Sequence, residues 1–191
     1  LGIIYGQTGR IIQALDVNQT AVALSPQDAE AHYNLGNTFK ALGKLDEAIE
    51  SYNQAISLKP NYAKSYNNLG IILKELGRIN IAETIFKKAI DIKPDYAESY
   101  YNLGVVFQEL GRIDEAESMY SQAIALKPDY TESYYNLGIV FQELGRIDEA
   151  ESMYSQAIAL KPDYAEAHNN LGIVFQELGR IDEAESMYSQ A

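Results

Sequence analysis

An asparagine recurs every thirty-four residues along this chain, at Asn34, Asn68, Asn102, Asn136 and Asn170. A carboxamide offers a carbonyl acceptor and an NH2 donor, the pairing that the C=O and N–H of an extended peptide require. A ladder of such groups holds a main chain without reading its sequence. Each bond contributes only about 0.5–1.5 kcal/mol net, so affinity would come from several rungs engaged together. Tyr33, Tyr101 and Tyr135 directly precede three of the rungs, with Asn67 and Asn169 before the other two in the same register. Glu98, Glu132 and Glu166 lie four residues before their rungs, one helical turn away on the same face. Asn37, Ile71, Val105, Ile139 and Ile173 follow three residues after and are candidate shallow sites for alternate side chains of a bound strand. The plainer alternative is that the asparagines bond to neighbouring helices or stand in solvent. Asn is a poor interior helix residue, so helix propensity does not explain five occurrences at one register. Copying of repeats is a further explanation.

Other chemistry has little to work with. The chain has no cysteine, which removes disulfides and thiolate metal sites and leaves the redox compartment open. His32 and His168 occupy one register four repeats apart, so they read as rings at a packing position and not as a catalytic or metal pair. The many carboxylates recur as helix caps or exposed rims, with no convergent cavity implied. Met119, Met153 and Met187 share one register and read as packing filler. No catalytic residue, metal or cofactor is expected.

The net charge of −12 over 191 residues is unevenly placed. Residues 1–96 balance ten acidic against ten basic side chains, whereas 97–191 carry seventeen acidic and five basic. A surface of that sign repels phosphate, so nucleic acid is not an expected partner. No apolar run reaches the length of a membrane span, so no membrane partner is expected either.

The elements that must position the ladder are legible from the same period. Taking Ala29, Ala63, Ala97, Thr131 and Ala165 as position 1, residues 1–191 form a single array. It has a partial opening repeat (1–28), four complete repeats (29–62, 63–96, 97–130, 131–164) and a partial closing one (165–191). Within each, apolar or small residues at positions 4, 7, 8, 11 and 14, such as Tyr134, Leu137, Gly138, Phe141 and Leu144, predict one buried helical stripe. Gly at position 15 predicts the end of that helix through a left-handed cap. A second helix is expected from the Asp of RIDEAES, with capping boxes Asp114/Glu117, Asp148/Glu151 and Asp182/Glu185. The same device is expected before the first helix in Asp95/Glu98, Asp129/Glu132 and Asp163/Glu166. Pro at position 32 closes the second helix. Gly at 8 and Ala at 20 and 27 mark close crossings filled by the ring at position 24: Tyr52, Phe86, Tyr120, Tyr154 and Tyr188. Repeats 97–130 and 131–164 differ only at Ala97/Thr131 and Val105/Ile139.

The anchors at positions 4, 7, 8, 11, 20, 24, 27 and 32 resemble the tetratricopeptide repeat over essentially the whole chain. The departures are Tyr66, Tyr100, Tyr134, His32 or His168 at position 4, usually Trp in the family, and Asn18 at position 24 of the opening repeat. The resemblance implies an all-α, right-handed superhelical solenoid of antiparallel helix pairs. First helices would line a concave groove and second helices form the convex back. It also implies an interaction module and not a catalyst. The asparagine ladder is similar to that in the repeat arm of O-linked N-acetylglucosamine transferases.

The reading that results is a protein–protein interaction module that binds unstructured neutral or basic peptide segments in its groove. The candidate contacts are Asn34, Asn68, Asn102, Asn136, Asn170, Tyr33, Tyr101, Tyr135, Glu98, Glu132 and Glu166. The carboxylate rim of Glu75, Glu109, Glu143 and Glu177 argues against acidic ligands. Lys40, Lys64 and Lys74 are too isolated to form the dicarboxylate clamp of chaperone-binding family members. Two alternatives stand beside this reading: a targeting arm of a larger enzyme such as a glycosyltransferase, and a scaffold that self-associates end to end.

Overall fold

The computed structural model describes the backbone of residues 2–191 and side chains from Arg10 onward; the opening anchor Leu1 lies outside the described residues. Every regular element among them is an α-helix. The chain gathers into two compact units, Leu1–Pro94 and Asp95–Ala191. The first holds α1 (Gly2–Leu24), α2 (Ala29–Ala41), α3 (Leu45–Leu58), α4 (Ala63–Glu75) and α5 (Ile79–Ile92). The second holds α6 (Ala97–Glu109), α7 (Ile113–Leu126), α8 (Thr131–Glu143), α9 (Ile147–Leu160), α10 (Ala165–Glu177) and α11 (Ile181–Tyr188). From α2 onward, three-residue turns join the first and second helices of each repeat, which makes the pairs antiparallel.

The first helices end as the spacing predicts. Gly145 has φ +71°, Arg146 N–H donates to Phe141 O at 2.8 Å and Gly145 N–H to Gln142 O at 2.9 Å, the two bonds of a Schellman motif. A Cβ on Gly145 would meet nothing within 4 Å, so that glycine is there for its backbone angle. Gly138 is there for room: a Cβ would sit 2.6 Å from Tyr154 Cε1. The rings of Tyr52, Phe86, Tyr120 and Tyr154, and the alanines at positions 20 and 27 beside them, are buried.

Three expectations are corrected. The capping boxes do not form. The second helices begin one residue early, at Ile113, Ile147 and Ile181, behind Arg112, Arg146 and Arg180, with no side-chain cap. The following Asp therefore lies inside the first turn, where its charge still complements the helix dipole. Before the first helices only Asp28 caps, accepting from Glu30 N–H at 2.9 Å; Tyr96, Tyr130 and Tyr164 hold that place elsewhere, so Asp95, Asp129 and Asp163 stand one residue too early. The buried stripe is also rotated. Position 14 is exposed (Leu76, Leu110, Leu144 and Leu178 at 37–40%), while Ser133 at position 3 and Val140 at position 10 are fully buried. Finally, α1 runs unbroken through Gly9, where a turn was expected. Asn18 stands at position 24 of that repeat, so no ring fixes a folded-back pair there.

Candidate peptide-binding face

The ladder asparagines sit on the first helices, and Asn68, Asn136 and Asn170 each oppose two tyrosines of the preceding repeat. In the second unit Asn136 Nδ2 donates to Tyr101 Oη at 3.3 Å and Tyr120 Oη at 3.5 Å. Asn170 Nδ2 repeats this with Tyr135 at 3.3 Å and Tyr154 at 3.4 Å. The polarity of the node is fixed from behind. Tyr120 Oη–H donates to Gln108 Oε1 at 3.0 Å and Tyr154 Oη–H to Gln142 Oε1 at 2.6 Å, so each phenol oxygen is left to accept from the asparagine. Both amide hydrogens of Asn136 and Asn170 are thus engaged, and their Oδ1 atoms accept no bond from the protein. The expected rung, donor and acceptor together, is reduced to an acceptor.

The first unit builds a variant of the node. Asn68 Nδ2 donates to Asn37 Oδ1 at 2.8 Å, with Tyr33 and Tyr52 hydroxyls at 3.4 and 3.5 Å, and Asn68 Oδ1 accepts from Asn67 at 3.4 Å. Asn34 is exposed, and its side chain bonds to nothing; its backbone carbonyl accepts from Thr38 Oγ1 at 3.0 Å. Asn102 lies on α6 in the same register and is half-buried.

Tyr33, Tyr101 and Tyr135 are not open platforms. Each ring is wedged between the position-24 ring of its own repeat, 5.9–6.0 Å away, and a position-34 tyrosine 5.0–5.1 Å away. Lysine ammoniums stand over those last rings: Lys59 on Tyr62, Lys127 on Tyr130 and Lys161 on Tyr164, at 4.5–4.7 Å. Burial pushes the Tyr120 and Tyr154 phenols far above their ordinary range, and Tyr164 up to about 12, so the node stays protonated and uncharged at physiological pH.

The rim is carboxylate. The second unit carries eighteen acidic and five basic residues. Of the expected acids at position 2, Glu98 has Lys127 Nζ at 3.9 Å, whereas Glu132 and Glu166 are exposed and form no ion pair among the described residues. Glu143 accepts from Gln108 Nε2 at 3.3 Å. A hollow of about 450 Å³ opens at the Asn170 rung, lined by Tyr135, Ala165, Glu166, Asn169, Asn170 and Ala191.

Two features escaped the sequence reading. Gln108 and Gln142 are hydrogen-bond partners of the phenols and not free groove contacts. Glu117 and Glu151 bridge repeats: Arg146 Nη1 reaches Glu117 and Arg180 Nη1 reaches Glu151, each at 2.7 Å. Each guanidinium also forks onto the carboxylate three residues on, Glu149 or Glu183, holding it below the usual carboxylate range, and lies 4.2 Å over Phe141 or Phe175. The thirty-four-residue recurrence of Arg, Glu and Phe was the signal available for both. His32 and His168 Nε2 meet the carbonyls of Pro26 and Pro162 at 3.0 and 2.9 Å, while His168 Nδ1 is buried without a partner. Among the described residues no cluster of acidic, His or Cys side chains has the geometry to hold a metal, and no helix is long and apolar enough to cross a membrane.

Models of the TPR repeat match residues 2–43 and 36–77, and of the tetratricopeptide repeat residues 63–129 and 134–191. The chain belongs to the tetratricopeptide repeat family. It is a protein-interaction module with the all-α helix-pair fold of that family. Among solved structures it is similar to MamA, with 29% identity, 82% of this chain and 91% of that one covered, and a TM-score of 0.74. It is also similar to TTC0263, a thermophilic TPR protein of Thermus thermophilus (28% identity, 92% and 96% covered, TM-score 0.69). YrrB, described as a TPR protein with an unusual peptide-binding site, shares the fold at 23% identity, with 93% and 91% covered and a TM-score of 0.75. No curated protein matches the sequence.

Proposed function

We propose that the face built by α6, α8 and α10 binds an extended, neutral or basic segment of a partner protein, without catalysis. The observation that carries this reading is the fixed polarity of the rungs. Tyrosine pairs hold the NH2 groups of Asn136 and Asn170, leaving Oδ1 acceptors in a rim of carboxylates. An acceptor-only surface calls for a donor-rich ligand: backbone N–H groups along its length and cations at its edges. Asn34, Asn68 and Asn102 extend the same register in their own repeats, with Tyr33 supporting Asn68, Tyr101 and Tyr135 supporting Asn136 and Asn170, and Glu98, Glu132 and Glu166 as the rim. Nucleic acid is disfavoured by the same charge. The enzyme-arm and self-stacking readings draw no support from the family models or the structural neighbours.

The test is an array of unstructured peptides of graded charge, probed with the protein and with an Asn136→Ala/Asn170→Ala variant of equal helicity. Neutral and basic peptides are expected to bind and to weaken several-fold on the variant. Unchanged affinity, or selection of acidic peptides, refutes the ladder.

A further inference from the structure

We infer that the hollow beside His32, enclosed by α1, α2 and α3, is a site for a lysine side chain of a partner protein. It is separate from the asparagine face, since no ladder residue lines it. About 360 Å³ opens there, with Val22, Leu35 and Phe39 as an apolar floor and the exposed Glu47, Glu50 and Gln54 at the mouth. The space follows the register and not an end of the chain. All eight residues that line it have counterparts four repeats on, and those counterparts line a hollow of about 420 Å³ beside His168. Tyr66, Tyr100 and Tyr134 hold the histidine register in the three repeats between. An imidazole is shorter than a phenol, so both histidines leave room that a tyrosine takes up.

The two hollows differ in charge. Glu50 is exposed and forms no ion pair among the described residues, whereas Ser186 holds its place in the second hollow. Glu47 has only Lys44 Nζ at 3.8 Å, whereas its counterpart Glu183 is forked by Arg180 at 2.6–2.7 Å. Nε2 of His32 faces the Pro26 carbonyl, which can only accept, so Nε2 carries the proton and Nδ1 of the neutral ring is an acceptor. The Ser51 hydroxyl gives its hydrogen to Glu47 O at 2.8 Å. The hollow thus offers single acceptors of different kinds around an apolar floor. An alkylammonium matches this set: its stem lies on the floor while three donors reach separate acceptors. A guanidinium fork is made for paired acceptors instead. A cation of the chain already approaches the floor, since Lys44 Nζ stands 5.9 Å from the Phe39 ring centroid.

The intact chain is titrated with Nα-acetyl-lysine amide, its Nε-acetylated form and Nα-acetyl-norleucine amide, with ring signals of His32 and His168 and the Gln54 carboxamide followed by NMR. The lysine amide is expected to shift His32 and Gln54 and not His168, with both neutral probes about fivefold weaker. Glu50→Ser, an exposed change to the residue of the last three repeats, should bring lysine down to the level of norleucine. His32→Tyr should fill the hollow and abolish the Gln54 shifts. The Asn136→Ala/Asn170→Ala variant should bind the lysine amide unchanged, so the site stands or falls apart from the peptide face. Norleucine binding as well as lysine, equal shifts at His168, or full lysine binding by Glu50→Ser would refute it. Binding of n-butylammonium without binding of the lysine amide would refute a protein partner as the source.

Discussion

Tyr154→Phe removes one oxygen from the node that sets the polarity of the ladder. The ring is fully buried, and Phe86 occupies the same register in repeat 63–96, so packing is preserved. Two bonds are lost: a strong one donated to Gln142 Oε1 at 2.6 Å and a long one accepted from Asn170 Nδ2 at 3.4 Å. A neutral hydrogen bond contributes about 1 kcal/mol net, and the 3.4 Å contact adds little, so the expected destabilisation is about 1–1.5 kcal/mol. Gln142→Ala removes the same strong bond from the other side. In the double variant the costs should fall short of additive by about 1 kcal/mol. Asn170, with one phenol partner fewer, should hold its Oδ1 less firmly, and peptide affinity should drop a few-fold. Urea denaturation of the four proteins and peptide titrations measure both. Strictly additive stabilities, or a Tyr154→Phe variant as stable as the parent, would show that the hydroxyl does not bridge the two helices.

Further outcomes follow from the same packing. Gly138→Ala and Gly145→Ala should both destabilise for different reasons. The first overpacks Tyr154 by about 1–3 kcal/mol, less about 1 kcal/mol of regained helix propensity; the second strains a φ of +71° by about 1–2 kcal/mol. Only the first should be relieved when Tyr154 is made smaller, and relief of both in urea melts would refute the distinction. Ser133 Oγ is buried with no partner, so Ser133→Ala, the residue already present at Ala31 and Ala167, should raise stability by about 1 kcal/mol; a loss of stability would reveal a bond not seen here. Tyr52, Tyr120 and Tyr154 have folded-state pKa values raised above the unfolded value of 10.0. Their contribution is complete below pH 10 and is lost as pH rises above it, by about 1.4 kcal/mol per group at pH 11. Urea midpoints that are flat from pH 9 to 11 would contradict their burial.

Periodicity made the scaffold legible. Leu137, Gly138, Phe141, Ala150, Tyr154 and Ala157 were placed correctly because each has a single size or shape that its site accepts. Polar roles were harder to read, because a thirty-four-residue recurrence shows that a residue is used without showing which neighbour uses it. Asn136 lies on the first helix of its repeat, and that its donors are spent on Tyr101 and Tyr120 depends on a phenol sixteen residues earlier and another thirty-five earlier. Glu117 satisfied a capping pattern with Asp114 yet went to Arg146, because the helix started one residue sooner than the pattern assumed. Leu144 was assigned to the core because it completes a helical stripe, and it surfaced because Val140 and Ser133 face inward instead.

The bridges from Arg146 to Glu117 and from Arg180 to Glu151 tie each repeat of the second unit to the next. Ile49 stands at the corresponding place in repeat 29–62, so the step to repeat 63–96 has no carboxylate to join. In a linear array, stability divides into what each repeat supplies alone and what each junction adds. Because these bridges are half-exposed, the part of the coupling they carry is expected to weaken as ionic strength rises.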